Sequence, residues 1–290
     1  MVTVKGYAKI NLTLDILGKR EDGYHEVSMV MQSIGLHDTV ALEKTEEKGI
    51  FLELDVPGLE ADERNLAWKA ADLVRRRFHL GGGIRIRLAK RIPVAAGLAG
   101  GSADAAAVLR GMNVLYQLGL RDERLCSMGA EFGSDIPFCI LGGTMLATGR
   151  GEVLERLPDL QGIPVVVVKP GVSVSTAWAY RKYDEEGAGR HPDNAAIQCA
   201  IAAGDREGVA KLLCNVLERV TIREYPVISR YKQMFMEQGA MASMMSGSGP
   251  SVFALAASEQ QAEDMASFLR QSVDAEVFVT RTVGTGTELA

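Results

Sequence analysis

The stretch "PVAAGLAGGSADAAA", residues 93–107, runs a nearly side-chain-free bend straight into an alanine-rich segment. Glycine is conformationally costly in a folded chain, so the bend implies one of two things: another part of the backbone packs very closely there, or a ligand touches bare N–H groups. A glycine-rich loop that leaves a strand and opens a helix presents unpaired amides and the positive end of the helix dipole, which suits phosphate. Gly97, Gly100 and Gly101 would admit an anion without steric block, and Ser102 would either donate a hydroxyl or cap the helix. The loop is neither a Walker A motif, since no "GK[ST]" follows, nor GxGxxG. A second turn of this kind, "SGSGPS" at residues 246–251, could form another nest of N–H groups. Other candidates have ordinary explanations when taken singly. Lys9 reads as a solvated strand lysine, Asp135 in "GSDIP" as a turn aspartate, and Tyr24 and His25 in "GYHE" as loop residues.

The elements that must hold these residues follow from pattern. Ile10, Leu12, Leu14 and Ile16 alternate with Asn11, Thr13 and Asp15, the period of a half-buried strand, which puts Lys9 and Asn11 together on the face opposite the apolar one. Residues 18–26 read as a connection, followed by strand-like runs near 27–34, 39–43 and 50–54. A helix is expected over 65–78 with Asn65 as its N-cap. A strand in "IRIRLAK" ends before Pro93, and a helix runs over about 102–118 to Gly119. The block from 131 to 152 reads as a turn feeding a hairpin. A break at 157–162 before "VVVV" marks the best domain boundary, dividing the chain into 1–158 and 159–290. Beyond it, "EGVAKLLCNVLERV", "VISRYKQMFMEQ" and residues 259–271 read as helices, and "AEVFVTRTV" as the last strand.

Composition bounds the function. The 290 residues are 47% hydrophobic and 24% charged, with a net charge of −5, so no broad positive field exists to attract nucleic acid. An anionic ligand must be held by a local site. The four cysteines, Cys126, Cys139, Cys199 and Cys214, form no CxxC pair, which argues against zinc and fits reduced thiols in a cytoplasmic protein. The N-terminal segment does not read as a signal peptide, and "GIPVVVVKPG" is too short to span a membrane.

Taken together, "AKINLTLDILGKREDGYHE", the glycine loop with "GSDIPF", and "SGSGPS" match in order and spacing the three signature regions of the GHMP kinases, which this chain resembles over nearly its whole length. "GYHE" narrows the likeness to the branch that phosphorylates a cytidine-diphosphate-linked polyol in the non-mevalonate route to isoprenoid precursors.

The resemblance implies an α+β fold of two α/β domains with the active site in the cleft between them. It further implies transfer of the γ-phosphoryl group of ATP, with Mg²⁺, to the 2-hydroxyl of a methylerythritol unit. Asp135 would be the base and Lys9 the cation beside it. Pro93, Val94, Ala95, Ala96, Gly97, Leu98, Ala99, Gly100, Gly101, Ser102 and Ala103 would wrap the ATP phosphates, with Asn65 and Lys90 on the adenosine side. Asn11, Tyr24, His25, Gly247 and Ser248 would bind substrate. Tyr180 would stack on the pyrimidine by register, with Trp178 as its competitor. The likeness assigns no protein ligand to Mg²⁺ and implies neither nucleic acid nor membrane as a partner.

Two departures stand out. Ala99 and Ala103 occupy positions where many relatives have glycine and serine. Ala99 keeps a backbone cradle if its φ is negative, and Ala103 leaves Ser102 as the only hydroxyl. The competing functions are a GHMP kinase acting on mevalonate, homoserine or a sugar, and a non-catalytic nucleotide binder.

Overall fold

The structure is a computed structural model and describes residues 1–56, 58–187 and 189–290. Its first half runs β1 (Val2–Lys19), β2 (His25–Thr45), β3 (Gly49–Leu54), α1 (Leu66–Arg77), β4 (Gly83–Ala89), α2 (Gly100–Leu115), α3 (Asp122–Gly129), α4 (Ile136–Leu141), β5 (Thr144–Thr148) and β6 (Val153–Arg156). Then follow β7 (Pro164–Pro170), α5 (Thr176–Glu186), α6 (Asn194–Ala202), α7 (Arg206–Lys211), β8 (Cys214–Asn215) and α8 (Glu218–Glu224). The chain closes with α9 (Val227–Glu237), β9 (Ala242–Met245), β10 (Val252–Leu255), α10 (Glu259–Ser272), β11 (Ala275–Arg281) and β12 (Thr287–Leu289).

Two sheets result, giving the α+β, two-domain arrangement expected. The larger has the order β12-β1-β2-β4-β3, with the β5–β6 hairpin on β2 and β8 on β1; the smaller is antiparallel, β11-β7-β10-β9. Both sheets bury long apolar runs. Val165 to Val168 of β7 are wholly buried, so this strand is covered on both faces and its apolar run is continuous rather than alternating; α9 and α10 both pack on it.

Several elements differ from expectation for a tertiary reason. The two runs at 27–34 and 39–43 are one long strand, β2, paired with β1 along almost all of its length. The register shifts between Tyr7 and Ala8, Asn11 and Thr13, and Ile16 and Gly18, so bulges bend the pair around the core. The block at 131–152 holds a short helix, α4, before its hairpin. "EGVAKLLCNVLERV" is not one helix but α7, β8 and α8, interrupted because Cys214 and Asn215 pair in parallel with Thr13 and Leu14. After β11 the chain returns to the first sheet, where β12 pairs with Val4 to Gly6 of β1.

The contact that seats the glycine loop is made at Gly6, where β1 crosses under α2. A Cβ on Gly6 would lie 2.5 Å from the carbonyl oxygen of Ala103, so only hydrogen fits. The small residues of α2 serve the same closeness: Ala103, Ala105, Ala106 and Ala107 are fully buried, and a Cβ on Gly111 would sit 2.3 Å from Leu42 Cδ1. Among the described residues no helix is long and apolar enough to cross a membrane. A Gly6→Ala variant should lose about 1–3 kcal/mol through overpacking against backbone that cannot yield, read as a lower urea midpoint with the same slope.

Candidate active site

Lys9 and Asn11 alternate on β1 and share one face, as expected, but that face is not solvated: Lys9 is 5% exposed and Asn11 fully buried. The Lys9 ammonium donates to Asn11 Oδ1 at 2.7 Å and stands 3.9 Å from Asp135 Oδ2. The Asn11 amide lies against Met29 Sδ at 3.1 Å, which leaves its oxygen to the lysine. Asp135 immediately precedes α4 without capping it, and about a third of its side chain stays open to the cavity. A buried cation, an amide that fixes it and a free carboxylate therefore meet at one point.

The glycine loop arrives there by backbone. Lys9 N donates to Leu98 O at 3.1 Å, tying β1 to the loop. Ala99 immediately precedes α2 and has no side chain to cap it, so the amides of the first turn, at Gly100, Gly101 and Ser102, depend on groups outside the helix. The φ of Ala99 is +59°, so the negative angle on which the expected cradle was conditional is not met; Ala95 is also left-handed, at +51°. Helix α2 starts two residues before the expected position, so Ser102 lies inside its first turn and is not the cap. Ala103 and Leu98 do not face the cavity. Ala103 packs on Gly6, and Leu98 is buried and contributes its carbonyl, so the hydroxyl missing at 103 would have pointed into β1. The rest of residues 93–102 line the cavity.

The glycines divide by cause. A Cβ on Gly97 would lie 2.2 Å from Ser246 O, and one on Gly100 would press on Ile92 and Lys90. One on Gly101 would meet only Leu66 Cδ1 at an ordinary 3.5 Å. Protein packing explains the first two and does not account for the third.

Behind the loop Lys90 is buried between two carboxylates, 2.5 Å from Asp38 Oδ2 and 2.7 Å from Asp104 Oδ2. Asp38 Oδ1 also accepts from Arg91 N and Ile92 N, so with Lys90 this carboxyl has three donors. Burial pushes the Asp104 carboxyl well above the usual carboxylate range, against the pull of Lys90 and helped by Asp38. Burial alone would lower Lys90, but the two carboxylates outweigh it and raise it. Lys90 thus reaches the cavity wall with its charge already matched. Asn65 is similarly committed: its oxygen caps α1 by accepting from Ala67 N, and its NH₂ donates to Glu60 O.

At the other end of the cavity, the His25 ring lies 4.9 Å from that of Tyr180 at 42°. Burial raises the Tyr180 hydroxyl well above its ordinary value, and the Asp135 charge adds to this, so it stays protonated. Trp178, the competitor, packs edge-on against Tyr225 and does not line the cavity. Tyr24 is 56% exposed, with the Arg150 guanidinium 5.0 Å from its ring centroid. Gly247 and Ser248 close the cavity from the second glycine turn, where Ser248 Oγ meets Thr176 Oγ1 at 3.0 Å.

Sequence reasoning missed Asn215, Asp184 and Arg150. Asn215 Nδ2 donates to Met245 O and Gly247 O, holding the second turn in place from inside β8. The enclosing cavity measures about 1120 Å³, beyond the ~300–1,000 Å³ usual for one small ligand and large enough for two nucleotide-sized ones.

Comparison with known proteins places this geometry. Residues 65–143 match the GHMP kinases N terminal domain, and residues 197–275 the GHMP kinases C terminal domain. The chain belongs to the GHMP kinases. It is 48% identical, over 97% of its length and 99% of the relative's, to the 4-diphosphocytidyl-2-C-methyl-D-erythritol kinase of Acetivibrio thermocellus. A crystal structure of 4-(cytidine 5'-diphospho)-2C-methyl-D-erythritol kinase superposes with a TM-score of 0.82 at 33% identity, covering 97% of this chain and 99% of that one. The homoserine kinase of Cytophaga hutchinsonii shares the fold at a TM-score of 0.78 and 19% identity, covering 100% of this chain and 97% of that one. This GHMP kinase is a phosphotransferase of a family that uses ATP.

Two stability measurements check the loop and its support. The left-handed strain of Ala99 is about 1–2 kcal/mol, and glycine there costs roughly 0.5–1 kcal/mol in the unfolded chain, so Ala99→Gly should stabilise by about 0.5–1 kcal/mol. For the triad, Asp104→Asn should stay within about 1 kcal/mol of wild type near neutral pH, whereas Asp38→Asn should cost about 3 kcal/mol or more. Because the folded-state pKa of Asp104 is raised above 3.8, its contribution is complete below that value and is lost as pH rises. Urea titrations from pH 4 upward should therefore show wild type losing ground to Asp104→Asn.

Proposed function

We propose that this kinase transfers the γ-phosphoryl group of ATP to the 2-hydroxyl of 4-diphosphocytidyl-2-C-methyl-D-erythritol, giving the 2-phosphate and ADP. The observation that carries the reading is one cavity that joins three things: the Lys9–Asp135 pair, the uncapped start of α2, and an aromatic end built from Tyr24, His25 and Tyr180. A hydroxyl placed beside Asp135 Oδ2 loses its proton to that carboxylate as its oxygen forms a bond to the γ-phosphorus. The bond from that phosphorus to the β,γ-bridging oxygen breaks, and ADP leaves with the electron pair.

Phosphoryl transfer asks the protein mainly for position and charge. Lys9, nearly excluded from water, opposes the charge on the transferring group more strongly than an exposed lysine would. Asn11 holds that ammonium in place. The amides of Gly100, Gly101 and Ser102 would receive the ATP phosphates, and the exposed face of Gly101 is where bare backbone has no other use.

No group of three or more His, Cys, Asp or Glu side chains converges among the described residues. That fits Mg²⁺ arriving on the nucleotide, since this ion keeps phosphate and water ligands and needs few from the protein. The Ser102 hydroxyl and the Asp135 carboxylate are among the hard oxygen donors lining the cavity and would be the ones to hold it. Held beside these residues, the cation would supply positive charge against the phosphates. The four cysteines are unpaired, and Cys139 is fully buried as a small apolar residue, which supports a reducing, cytoplasmic setting.

A GHMP kinase acting on mevalonate or homoserine would have no base to place among Tyr24, His25 and Tyr180. The test is ADP release with Mg-ATP and each of three alcohols: 4-diphosphocytidyl-2-C-methyl-D-erythritol, mevalonate and homoserine. Turnover is expected with the first alone; turnover with either of the others would overturn the reading. Asp135→Ala should lower kcat by about 10²–10⁴ while leaving ATP affinity, measured by calorimetry, within a few-fold of wild type.

A further inference from the structure

Helix α5 presents Tyr180 and Asp184 one turn apart, so both fall on the face that lines the cavity. Opposite them stands His25, the first residue of β2, with a side chain only 10% exposed. Its Nε2 is 2.6 Å from Asp184 Oδ1, and the other oxygen of that carboxylate accepts from Lys19 Nζ at 2.9 Å. The hydrogen bond from Lys19 holds the Asp184 carboxyl below its ordinary value; partial burial works against this and the His25 ring reinforces it. Asp184 is therefore ionised near neutral pH, and an ionised carboxylate can only accept. The ring hydrogen must sit on Nε2. In the neutral imidazole Nδ1 then carries a lone pair, and it makes no hydrogen bond to any of the described residues.

We infer that Asp184 is a positioning residue that sets which pyrimidine the cavity accepts, by fixing the hydrogen of His25 on Nε2 and making Nδ1 an acceptor. The inference rests on the cytidine reading proposed above. A ring acceptor at that place takes a hydrogen from the 4-amino group of cytosine. Uracil offers a carbonyl oxygen there, so two lone pairs would face each other with no water to separate them. A site built on a buried acceptor discriminates by the cost of leaving it unpaired, which greatly exceeds the difference in shape between the two bases. Neither the stacking ring nor the catalytic pair supplies this selectivity, because both pyrimidines have the same faces and carry the same hydroxyl.

Asp184→Asn tests this without changing the shape of the residue. The amide can turn its oxygen to an Nε2–H or its nitrogen to a bare Nε2, so both ring tautomers become available. The measurement is kcat/KM with Mg-ATP for 4-diphosphocytidyl-2-C-methyl-D-erythritol and for its uridine counterpart, together with calorimetric binding of CMP and UMP. Wild type should favour the cytidine compound by about 100-fold or more. In Asp184→Asn the preference should fall by at least tenfold, with the loss in KM for the cytidine compound and kcat largely kept, and CMP should lose its advantage over UMP in binding. Asp184→Glu, which restores an anion able to reach the ring, should recover part of the preference. An unchanged ratio in a variant that turns over the cytidine compound would overturn the inference and leave the proposed function standing. Wild-type protein that uses neither compound would overturn both.

Discussion

Two glycine-rich loops meet backbone to backbone, and the rest of the cleft is placed by reference to that contact. Ser246 Oγ donates to Gly97 O at 2.9 Å, Ser251 N approaches Ala96 O at 3.4 Å, and a Cβ on Gly97 would occupy the space of Ser246 O. One residue further on, Leu98 O accepts from the backbone of Lys9. Strand β1, the first glycine loop and the second glycine turn are thus coupled largely through main-chain atoms, with little side-chain freedom between them. Such coupling suits a reaction whose barrier depends on sub-ångström placement of a hydroxyl and a phosphorus. Of the two causes that the bare loop's composition allowed, close packing accounts for Gly97 and Gly100, and Gly101 is left open.

Charge is managed on the same principle of matching before the ligand arrives. The loop is the phosphate site proposed above, and an unbalanced carboxylate behind it would repel phosphates through a low-dielectric wall. Asp38 and Asp104 both lie there, within reach of a single lysine. Net neutrality follows only if one of them is protonated, and the environments decide which: Asp38 has two backbone donors as well as Lys90, while the second oxygen of Asp104 is buried without a hydrogen-bond partner. The proton therefore belongs to Asp104, which still accepts from Lys90 and has the neighbouring Asp38 carboxylate as an acceptor for its own hydrogen. Lys90 joins the end of β4 to α2 electrostatically rather than serving chiefly as a nucleotide ligand.

What the sequence made legible was local. The alternation around Lys9 and Asn11, the strand–glycine–helix order and the cap at Asn65 are each set within a few residues, and the structure has all of them. The polarity of the Lys9 face was not legible, because a lysine on the polar side of an alternating strand reads as solvated until another domain covers it. Asn215 lies in a window with helical periodicity, yet two residues pair with β1 some 200 positions away and break the helix. The left-handed Ala99 contradicts its own side chain and is explained only by the loop that it must form. Asp184 carried no motif at all. Its meaning depends on a histidine 159 residues earlier in the chain.

The two ends of the cavity solve different problems with the same kind of device. At the transfer point an amide, Asn11, fixes the position of a cation that must be ready before charge develops. At the aromatic end a carboxylate, Asp184, fixes the hydrogen of the His25 ring before any ligand enters. In each case the residue that meets the ligand has little freedom of its own, and the residue that removes that freedom lies on or beside the element that supplies the next function: Asn11 on the strand of Lys9, Asp184 on the helix of Tyr180. Binding then costs less ordering, because the polar groups are oriented in the empty protein. The two substrates proposed for this cleft, a nucleotide and a nucleotide-linked alcohol, are both large, flexible and anionic. A cleft that has already set its charges and tautomers can spend their binding energy on bringing one hydroxyl to one phosphorus.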